Sequence, residues 1–189
     1  MGKSTEKISF EKENYVEQKL EGFFEDCEFT ECDFTDAQIE NSGFTNCKFF
    51  HCNFSNAKLI KTSLTDCHFL HCKMMGISFD LCENFFYTLQ VKDSTLDYAS
   101  LYNLKLRLSK FTNCSFRESD LTRTDFTSAI FNHCDFTAAH FEQTNLEKAD
   151  LHTSRNYLID PEKNKIKKAR FSMHQVLGLL YKYDIIIED

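Results

Sequence analysis

Apolar residues return at every fifth position through most of this chain. Twelve successive fifth residues from Phe24 to Phe79 are apolar, and a second series of fourteen runs from Phe86 to Leu151. A small residue stands two positions before the apolar one in 22 of these 26 pentads. An α-helix repeats about every 3.6 residues and a strand every two, so neither element could keep all of these side chains on one side.

The spacing instead predicts a chain that turns a corner once per pentad, with the apolar and small residues inward and the other three outward. The cysteines indicate the number of sides, because most of them recur at intervals of 20 residues, or four pentads: Cys27, Cys47 and Cys67; Cys32, Cys52 and Cys72; Cys114 and Cys134. We therefore expect an all-β fold, a four-sided β-helix of about 20 residues per coil. Its coils should stack about 4.8 Å apart, with like side chains in ladders.

Three segments follow from this pattern. Residues 1–21 are predicted to be an N-terminal segment or cap, 22–151 the β-helix with a register break at about 80–86, and 152–189 a C-terminal segment. Within the last, Asp160-Pro161 predicts a turn, and Ser172 predicts the N-cap of a helix over about 173–182.

The C-terminal segment also carries apolar residues that the β-helix does not use. Four of them share one face of the predicted helix and three form a short apolar segment after it: Met173, Val176, Leu177, Leu180, Ile185, Ile186 and Ile187. The open end of a solenoid must be covered. We therefore expect a two-fold homodimer through this end of the chain.

The formal charge of −7 is concentrated in the first coils. Counted from the sequence, residues 1–22 carry net −1, 23–89 net −6, 90–151 net −2 and 152–189 net +2. An acidic body repels nucleic acid, since Lys and Arg contacts to phosphate supply most non-specific affinity. We expect no direct DNA binding.

The outward acidic residues form a candidate surface for a basic partner. Their negative charge would steer the approach of that partner. The alternative is a solvated surface that keeps a repetitive protein dissolved. The candidates are Glu25, Asp26, Glu28, Glu31, Asp33, Asp36, Glu40, Asp120, Asp125, Asp135, Glu142 and Glu147.

The stretch "NCKFFHCNF" at 46–54 has the residue types of a metal or redox site. Its C-x4-C spacing differs from the CxxC pairs common in structural zinc sites, and the register points both cysteines inward as small apolar residues. We therefore expect no metal, no cofactor and, without an exposed thiolate, no enzyme. The outward residues Phe50 and His51 recur 20 residues later as Leu70 and His71, and they form a candidate exposed patch whose alternative role is simple solvation.

Two further features bear on location. No apolar run reaches the roughly 20 residues of a transmembrane helix, so we expect no membrane association. Nine cysteines, an odd number, with no secretory signal at the N-terminus indicate the reducing cytoplasm.

The pentads resemble a known family. "CDFTDAQIENSGFTNCKFF" (32–50) and "SDLTRTDFTSAIFNHCDF" (119–136) are similar to the pentapeptide repeat family, whose pattern is A/C/S–D/N–L/F–S/T/R–x. The resemblance covers residues 22–151 and implies a right-handed quadrilateral β-helix. The family is functionally diverse, so its fold alone does not decide function.

The apolar C-terminal segment narrows the resemblance to the Qnr, MfpA and McbG group. In that group a C-terminal helix mediates a rod-shaped dimer, and the acidic rod resembles a DNA duplex and engages DNA gyrase and topoisomerase IV. The resemblance implies a type II topoisomerase as partner, its modulation or protection, and quinolone or toxin resistance. The pentads have only a two-residue interruption, as in the loop-free members. The alternative is a structural or scaffolding pentapeptide repeat protein with an unrelated partner.

Overall fold

The structure is a computed structural model that describes residues 4–83, 88–186 and 188. Its strands are short, and every strand pair is parallel. The strands are β1 (Ser4–Glu6), β2 (Ser9–Glu11), β3 (Lys19–Leu20), β4 (Phe23–Glu25), β5 (Glu28–Thr30), β6 (Gln38–Glu40), β7 (Gly43–Thr45), β8 (Lys48–Phe50), β9 (Lys58–Ile60), β10 (Ser63–Thr65), β11 (Cys67–Leu70), β12 (Leu89–Lys92), β13 (Lys110–Thr112) and β14 (Ile130–Asn132). Single turns of 3₁₀ helix occur at Phe79–Leu81, Val176–Leu179 and Tyr181–Tyr183.

The strands and the bridges between single residues form four faces of a parallel β-helix. Face 1 holds β1, β4, β7 and β10, and its second half runs from Lys105 to Lys165. Face 2 holds the seven-stranded sheet from β2 to β14 and continues to Arg170. Face 3 is a column of bridges from Asn14 to Arg155, and face 4 holds β3, β6 and β9 and then runs from Ser78 to His140.

The prediction from the five-residue period is confirmed: all 25 apolar centres within the described residues are buried. The twenty-sixth, Phe86, and the neighbouring small position, Asn84, lie outside the described residues. Aromatic centres stack from coil to coil, as Phe29 does on Phe49 with ring centroids 4.9 Å apart. Within a coil they meet edge to face, as Phe44 and Phe49 do at 5.6 Å. Both arrangements are favourable for aromatic rings.

The chain turns at each corner through a residue in the left-handed backbone conformation, which the five-residue period of apolar residues does not reveal. The residue two positions after the centre has a positive φ in every pentad from Phe24 to Met74 and again from Val91 to Leu146. Asn, Asp and His tolerate this left-handed conformation better than most residues. Their frequency at this position is the signal that could have predicted the corners, and it includes His51 and His71.

The predicted N-terminal boundary needs correction, because residues 4–20 form a coil of the β-helix. Phe10 pairs with Phe29, and Leu20 with Ile39. The paired residues are 19 positions apart here, whereas the paired residues of most later coils are 20 apart. The coil therefore falls out of the five-residue register that begins at Phe24. At the other interruption, Phe69 pairs with Val91, which places the two extra residues between β11 and β12 as predicted.

The predicted C-terminal boundary and helix also need correction. Bridges from Asn145 to Lys165 and from Asp150 to Arg170 carry the β-helix past residue 151. The helix predicted over 173–182 is two 3₁₀ turns instead. A side chain on Gly178 would meet the Tyr157 carbonyl oxygen at 2.0 Å, and Gly178 accepts a hydrogen bond from the Ile159 N–H at 3.0 Å. This close backbone contact holds the segment against the last coil.

The Asp160 turn is as predicted, whereas Ser172 does not cap a helix and only accepts a hydrogen bond within the turn before Val176. The Asp160 carbonyl accepts hydrogen bonds from the N–H groups of Lys163 and Asn164, at 3.2 and 3.1 Å. The Ser172 side chain accepts one from the Gln175 N–H at 3.2 Å.

All nine cysteines are free and buried. Their ladder positions are as predicted: each thiol in a small position donates to a backbone carbonyl, for example Cys47 to Phe24 at 3.4 Å. Burial raises the pKa of Cys47 to about 11, and burial also holds the pKa of Cys67 above its ordinary value.

The native thiols should resist a charged alkylating reagent, because all nine are buried and the charged thiolate is the reacting form. Iodoacetate at pH 8 should leave the native protein unmodified over hours, and all nine cysteines should react once urea unfolds it. Intact-mass spectrometry reads out both states. A thiol in the native protein that reacts at the unfolded rate would show that the cysteines are not inward.

Candidate interaction surface

The twelve predicted acidic residues are spread over all four faces and do not form one stripe. Glu25, Asp26, Asp125 and Glu147 lie on face 1 and its corner, and the others are divided among faces 2, 3 and 4. A partner that meets one side of the rod therefore meets only a few of them.

Five of the twelve already face a cation. Their partners are close in space although about 18–21 residues away in the chain: Glu31–Lys12 at 3.9 Å, Glu40–Lys19 at 2.6 Å, Asp125–Arg107 at 3.2 Å, Asp135–Arg117 at 2.9 Å and Glu142–Lys163 at 3.6 Å. All five pairs reduce the field that a basic partner experiences, and those other than the Asp135 pair add little to stability.

Asp135 is the clearest departure from the prediction, because it is buried. Its carboxylate accepts hydrogen bonds from the Thr137 hydroxyl at 2.7 Å, the Asn156 amide at 2.9 Å and Arg117 at 2.9 Å. Burial opposes ionisation, but these donors outweigh it and hold the pKa of Asp135 far below its ordinary value. Asp135 therefore joins coils together and is unavailable to a partner.

Replacing Asp135 with alanine should lower the free energy of unfolding by about 1–3 kcal/mol, because several hydrogen bonds to a charged and buried acceptor are lost. The contribution should be complete above the ordinary Asp pKa of about 3.9 and lost as the pH falls below it, since the folded-state pKa is the lower one. Urea denaturation from pH 7 to pH 3 should thus show wild type and Asp135→Asn converging in acid. The control Asp125→Ala should cost less, because the Asp125 side chain is 27% exposed and that of Asp135 only 5%. A pH-independent gap for Asp135→Asn would contradict this role.

An exposed acidic corner remains near the N-terminal end. Glu25, Asp26 and Glu28 follow one another around the corner between faces 1 and 2, and all three are exposed. Within the described residues they form no ion pair; Asp26 accepts only the Asn46 amide. Asp36 is also exposed, at the corner between faces 3 and 4. We call Glu25, Asp26, Glu28 and Asp36 the acidic corner set.

The last coil has the opposite charge. Between residues 163 and 170 the chain carries five basic residues and no acidic one, and all five are exposed: Lys163, Lys165, Lys167, Lys168 and Arg170. The rod is therefore acidic near its N-terminal end and basic at its C-terminal end. Net charge alone does not reveal this polarity.

The predicted patch of Phe50, His51, Leu70 and His71 is assembled on face 2. Leu70 pairs in register with Phe50, and the two imidazole rings stack with centroids 4.9 Å apart. His71 Nε2 lies 3.9 Å from Asp93 Oδ2. Phe50 and Leu70 are half-buried, which corrects the expectation that they are exposed.

The residues predicted for dimerisation lie at the C-terminal end, and several are exposed. Met173 is 83% exposed, Ile186 88%, and Leu177 and Ile185 about half. Val176 and Leu180 are half-buried, and Leu179, which the helical spacing did not select, is the residue that packs inward. Ile187 lies outside the described residues.

The described part of the chain holds no group of three or more His, Cys, Asp or Glu side chains that could bind a metal ion. None of its helical segments is long and apolar enough to cross a membrane.

Comparison with known proteins gives one family and several solved structures. The family described as "Pentapeptide repeats" matches residues 42–80, 105–143 and 119–155, in eight copies. No curated protein sequence matches the chain significantly.

The structural similarity extends over nearly the whole chain. A trypsin-treated variant of QnrB1, a plasmid-mediated fluoroquinolone resistance protein, has a TM-score of 0.77 and 15% identity, and the match covers 100% of both chains. Full-length QnrB1 has a TM-score of 0.56 and 18% identity, covering 96% of this chain and 100% of that one. HetL from the cyanobacterium Nostoc, involved in heterocyst differentiation regulation, has a TM-score of 0.65 and 11% identity, covering 90% and 86%. At these identities the likeness concerns the fold.

Proposed function

We propose that this chain, a pentapeptide-repeat protein by its repeats and its fold, is a non-enzymatic mimic of DNA that binds a type II topoisomerase. The observation that carries the proposal is the acidic corner set on a rod of regularly stacked coils. Seven strands and two further bridges make nine rungs on face 2, which at about 4.8 Å each give a rod of roughly 38 Å. Carboxylates displayed along such a rod can occupy a groove that otherwise holds phosphates.

The polarity of charge refines this proposal. A duplex carries one charge per roughly 1.7 Å of axis, far more than this rod as a whole. The acidic corner set restricts the mimicry to the N-terminal half, and the basic last coil stays outside the partner's DNA-binding groove. DNA itself is not the partner of the acidic half.

The exposed apolar C-terminal end supports a homodimer in the proposal. Two copies related by a two-fold axis would cover Met173, Leu177, Ile185 and Ile186 with the same residues of the second copy. The dimer would be a longer rod with two acidic arms and a basic centre. We place it in the cytoplasm, where a topoisomerase acts on the chromosome.

A supercoiling assay with purified DNA gyrase tests the proposal. The protein at micromolar concentration should alter supercoiling or reduce its inhibition by ciprofloxacin, as the likeness to QnrB1 suggests. A variant with Glu25→Lys, Asp26→Lys and Glu28→Lys should lose the effect. A second variant with Glu118→Lys, Glu142→Lys and Glu147→Lys changes the net charge equally and should retain it. No effect of the wild-type protein on gyrase or topoisomerase IV would refute the proposal.

A second candidate is a scaffolding role with an unrelated protein partner. The ion pairs that neutralise five of the twelve acidic residues favour it, because they weaken the field of a DNA mimic. Unchanged topoisomerase activity together with a defined complex with another protein would support this candidate.

A further inference from the structure

The backbone ladder on face 4 stops one coil before the ladders on faces 1 and 2. The last residue paired in the face 4 ladder is His140. Its carbonyl accepts a hydrogen bond from the Leu121 N–H at 3.0 Å, and its N–H donates to the Ser119 carbonyl at 2.9 Å. The adjacent corner is bonded in the same way, from the Glu118 N–H to the Thr137 carbonyl at 3.0 Å.

The equivalent groups in the next coil have no such bonds. They are the N–H groups of Ala138 and Phe141 and the carbonyl of Ala139. Within the described residues none of the three has a hydrogen-bond partner. The ladder begins again immediately afterwards, where Gln143 donates to Lys163 at 3.1 Å. Unpaired backbone groups at the edge of a ladder are a template for an added strand, so three together mark a place for a binding partner.

The local sequence explains the gap. The spacing of 20 residues predicts that the centre after Phe136 in this column is Asn156. Asn156 has a positive φ, however, and Tyr157 is the buried residue instead. The chain then turns at Asp160 and Pro161, and proline has no N–H to donate. The segment therefore passes beside the open rung and does not pair with it.

The gap forms a cleft of about 620 Å³, within the roughly 300–1,000 Å³ typical of ligand sites. Ala139 and Phe141 form its floor and are 7% and 8% exposed, whereas most other centres are fully buried. Leu158 and Tyr181 also line the cleft, and each is about half exposed. The cleft thus combines an apolar floor with unpaired backbone groups.

The walls of the cleft are acidic. Glu118, Asp120 and Glu142 line it, and the only lysine that lines it, Lys163, lies 3.6 Å from Glu142. Asp160 also lines the cleft, but it is paired with Lys182 at 2.7 Å. A ligand with positive charge and an apolar portion therefore matches this surface.

We propose that the cleft binds an extended segment of a partner protein that adds one rung to face 4. Carbonyl groups of the segment accept from the N–H groups of Ala138 and Phe141, and one of its N–H groups donates to the Ala139 carbonyl. An apolar side chain covers Phe141, and a neighbouring lysine or arginine meets Glu118 or Glu142. The chain's own end, with Asp184 and Glu188 on either side of its isoleucines, has the wrong charge for this site.

NMR with the capped hexapeptide acetyl-Lys-Val-Lys-Leu-Arg-Thr-amide tests the proposal on the full chain. The amide protons of Ala138 and Phe141 should exchange rapidly in the free protein, shift on titration and become at least tenfold slower to exchange when bound. Those of Glu118 and Leu121, already paired, should change little. The same peptide with glutamate for its basic residues, or with alternate backbone nitrogens methylated, should bind at least fivefold more weakly.

Charge variants supply the second arm. Glu118→Lys with Glu142→Lys should weaken binding of the hexapeptide at least about fivefold, because two attractive pairs become repulsive. Glu25→Lys with Glu28→Lys makes the same change in net charge away from the cleft and should alter affinity by less than about twofold. The proposal is overturned if the Ala138 and Phe141 amides do not respond at millimolar peptide, if the methylated peptide binds equally well, or if both variants lose affinity alike.

Discussion

Replacing Phe49 with alanine should lower the free energy of unfolding by about 3–5 kcal/mol, the cost typical of deleting a buried aromatic ring. Phe49 is 1% exposed and stacks between Phe29 and Phe69, at 4.9 and 4.7 Å. It also meets the edges of Phe44 and Phe54. One substitution therefore removes contacts within a coil and with the coils on both sides, and the rigid ladder cannot collapse into the cavity.

The adjacent residue provides the control. Phe50 is half-buried on the outer side of the same strand, and its replacement by alanine should cost about 1 kcal/mol or less. Equilibrium urea denaturation, followed by far-ultraviolet circular dichroism, measures both variants. Equal losses at the two positions would contradict the alternation of inward and outward residues on which the fold rests.

Replacing Leu177 with aspartate should convert the proposed dimer to a monomer. Leu177 is about half exposed in the same C-terminal segment as Met173 and Ile186, and an aspartate there would place an unpaired charge inside the proposed interface. Light scattering after size-exclusion chromatography should give twice the chain mass of 22.2 kDa for the wild type and one chain mass for the variant.

Leu108→Asp is the matched control for this experiment. Leu108 is 61% exposed on the side of the rod, and the dimer should tolerate the same substitution there. A wild-type monomer at micromolar concentration would refute the dimer, and dissociation by Leu108→Asp would place the interface elsewhere.

The interior of the rod could be predicted from sequence because every coil has the same local environment. Phe29, Phe49 and Phe69 occupy equivalent positions, so a period of five and a spacing of 20 define both their direction and their neighbours. The ends differ because they break this equivalence. The first coil is one residue shorter, so Phe10 and Leu20 stand outside the register that begins at Phe24, and Tyr157 replaces the expected centre of the last coil.

The surface was less predictable, because outward direction does not define the partners of a side chain. Asp135 has the same pentad position as Asp125, yet Arg155 and Asn156 from the next coil help to enclose it. The cleft beside Phe141 depends on where the last coil fails to pair, which periodicity cannot show. The 3₁₀ turns at the C-terminus depend on the contact between Gly178 and Tyr157, which is close in space but 21 residues away in the chain.

Competition between this protein and DNA for one topoisomerase site tests the proposed function most directly. A fluorescently labelled sample should bind purified DNA gyrase, with a rise in anisotropy at micromolar concentration or below. Unlabelled duplex DNA should displace it, and a variant with Glu25→Lys, Asp26→Lys and Glu28→Lys should bind at least tenfold more weakly. An unchanged anisotropy with gyrase and with topoisomerase IV, or a complex that DNA does not disturb, would contradict the mimicry of DNA by this rod.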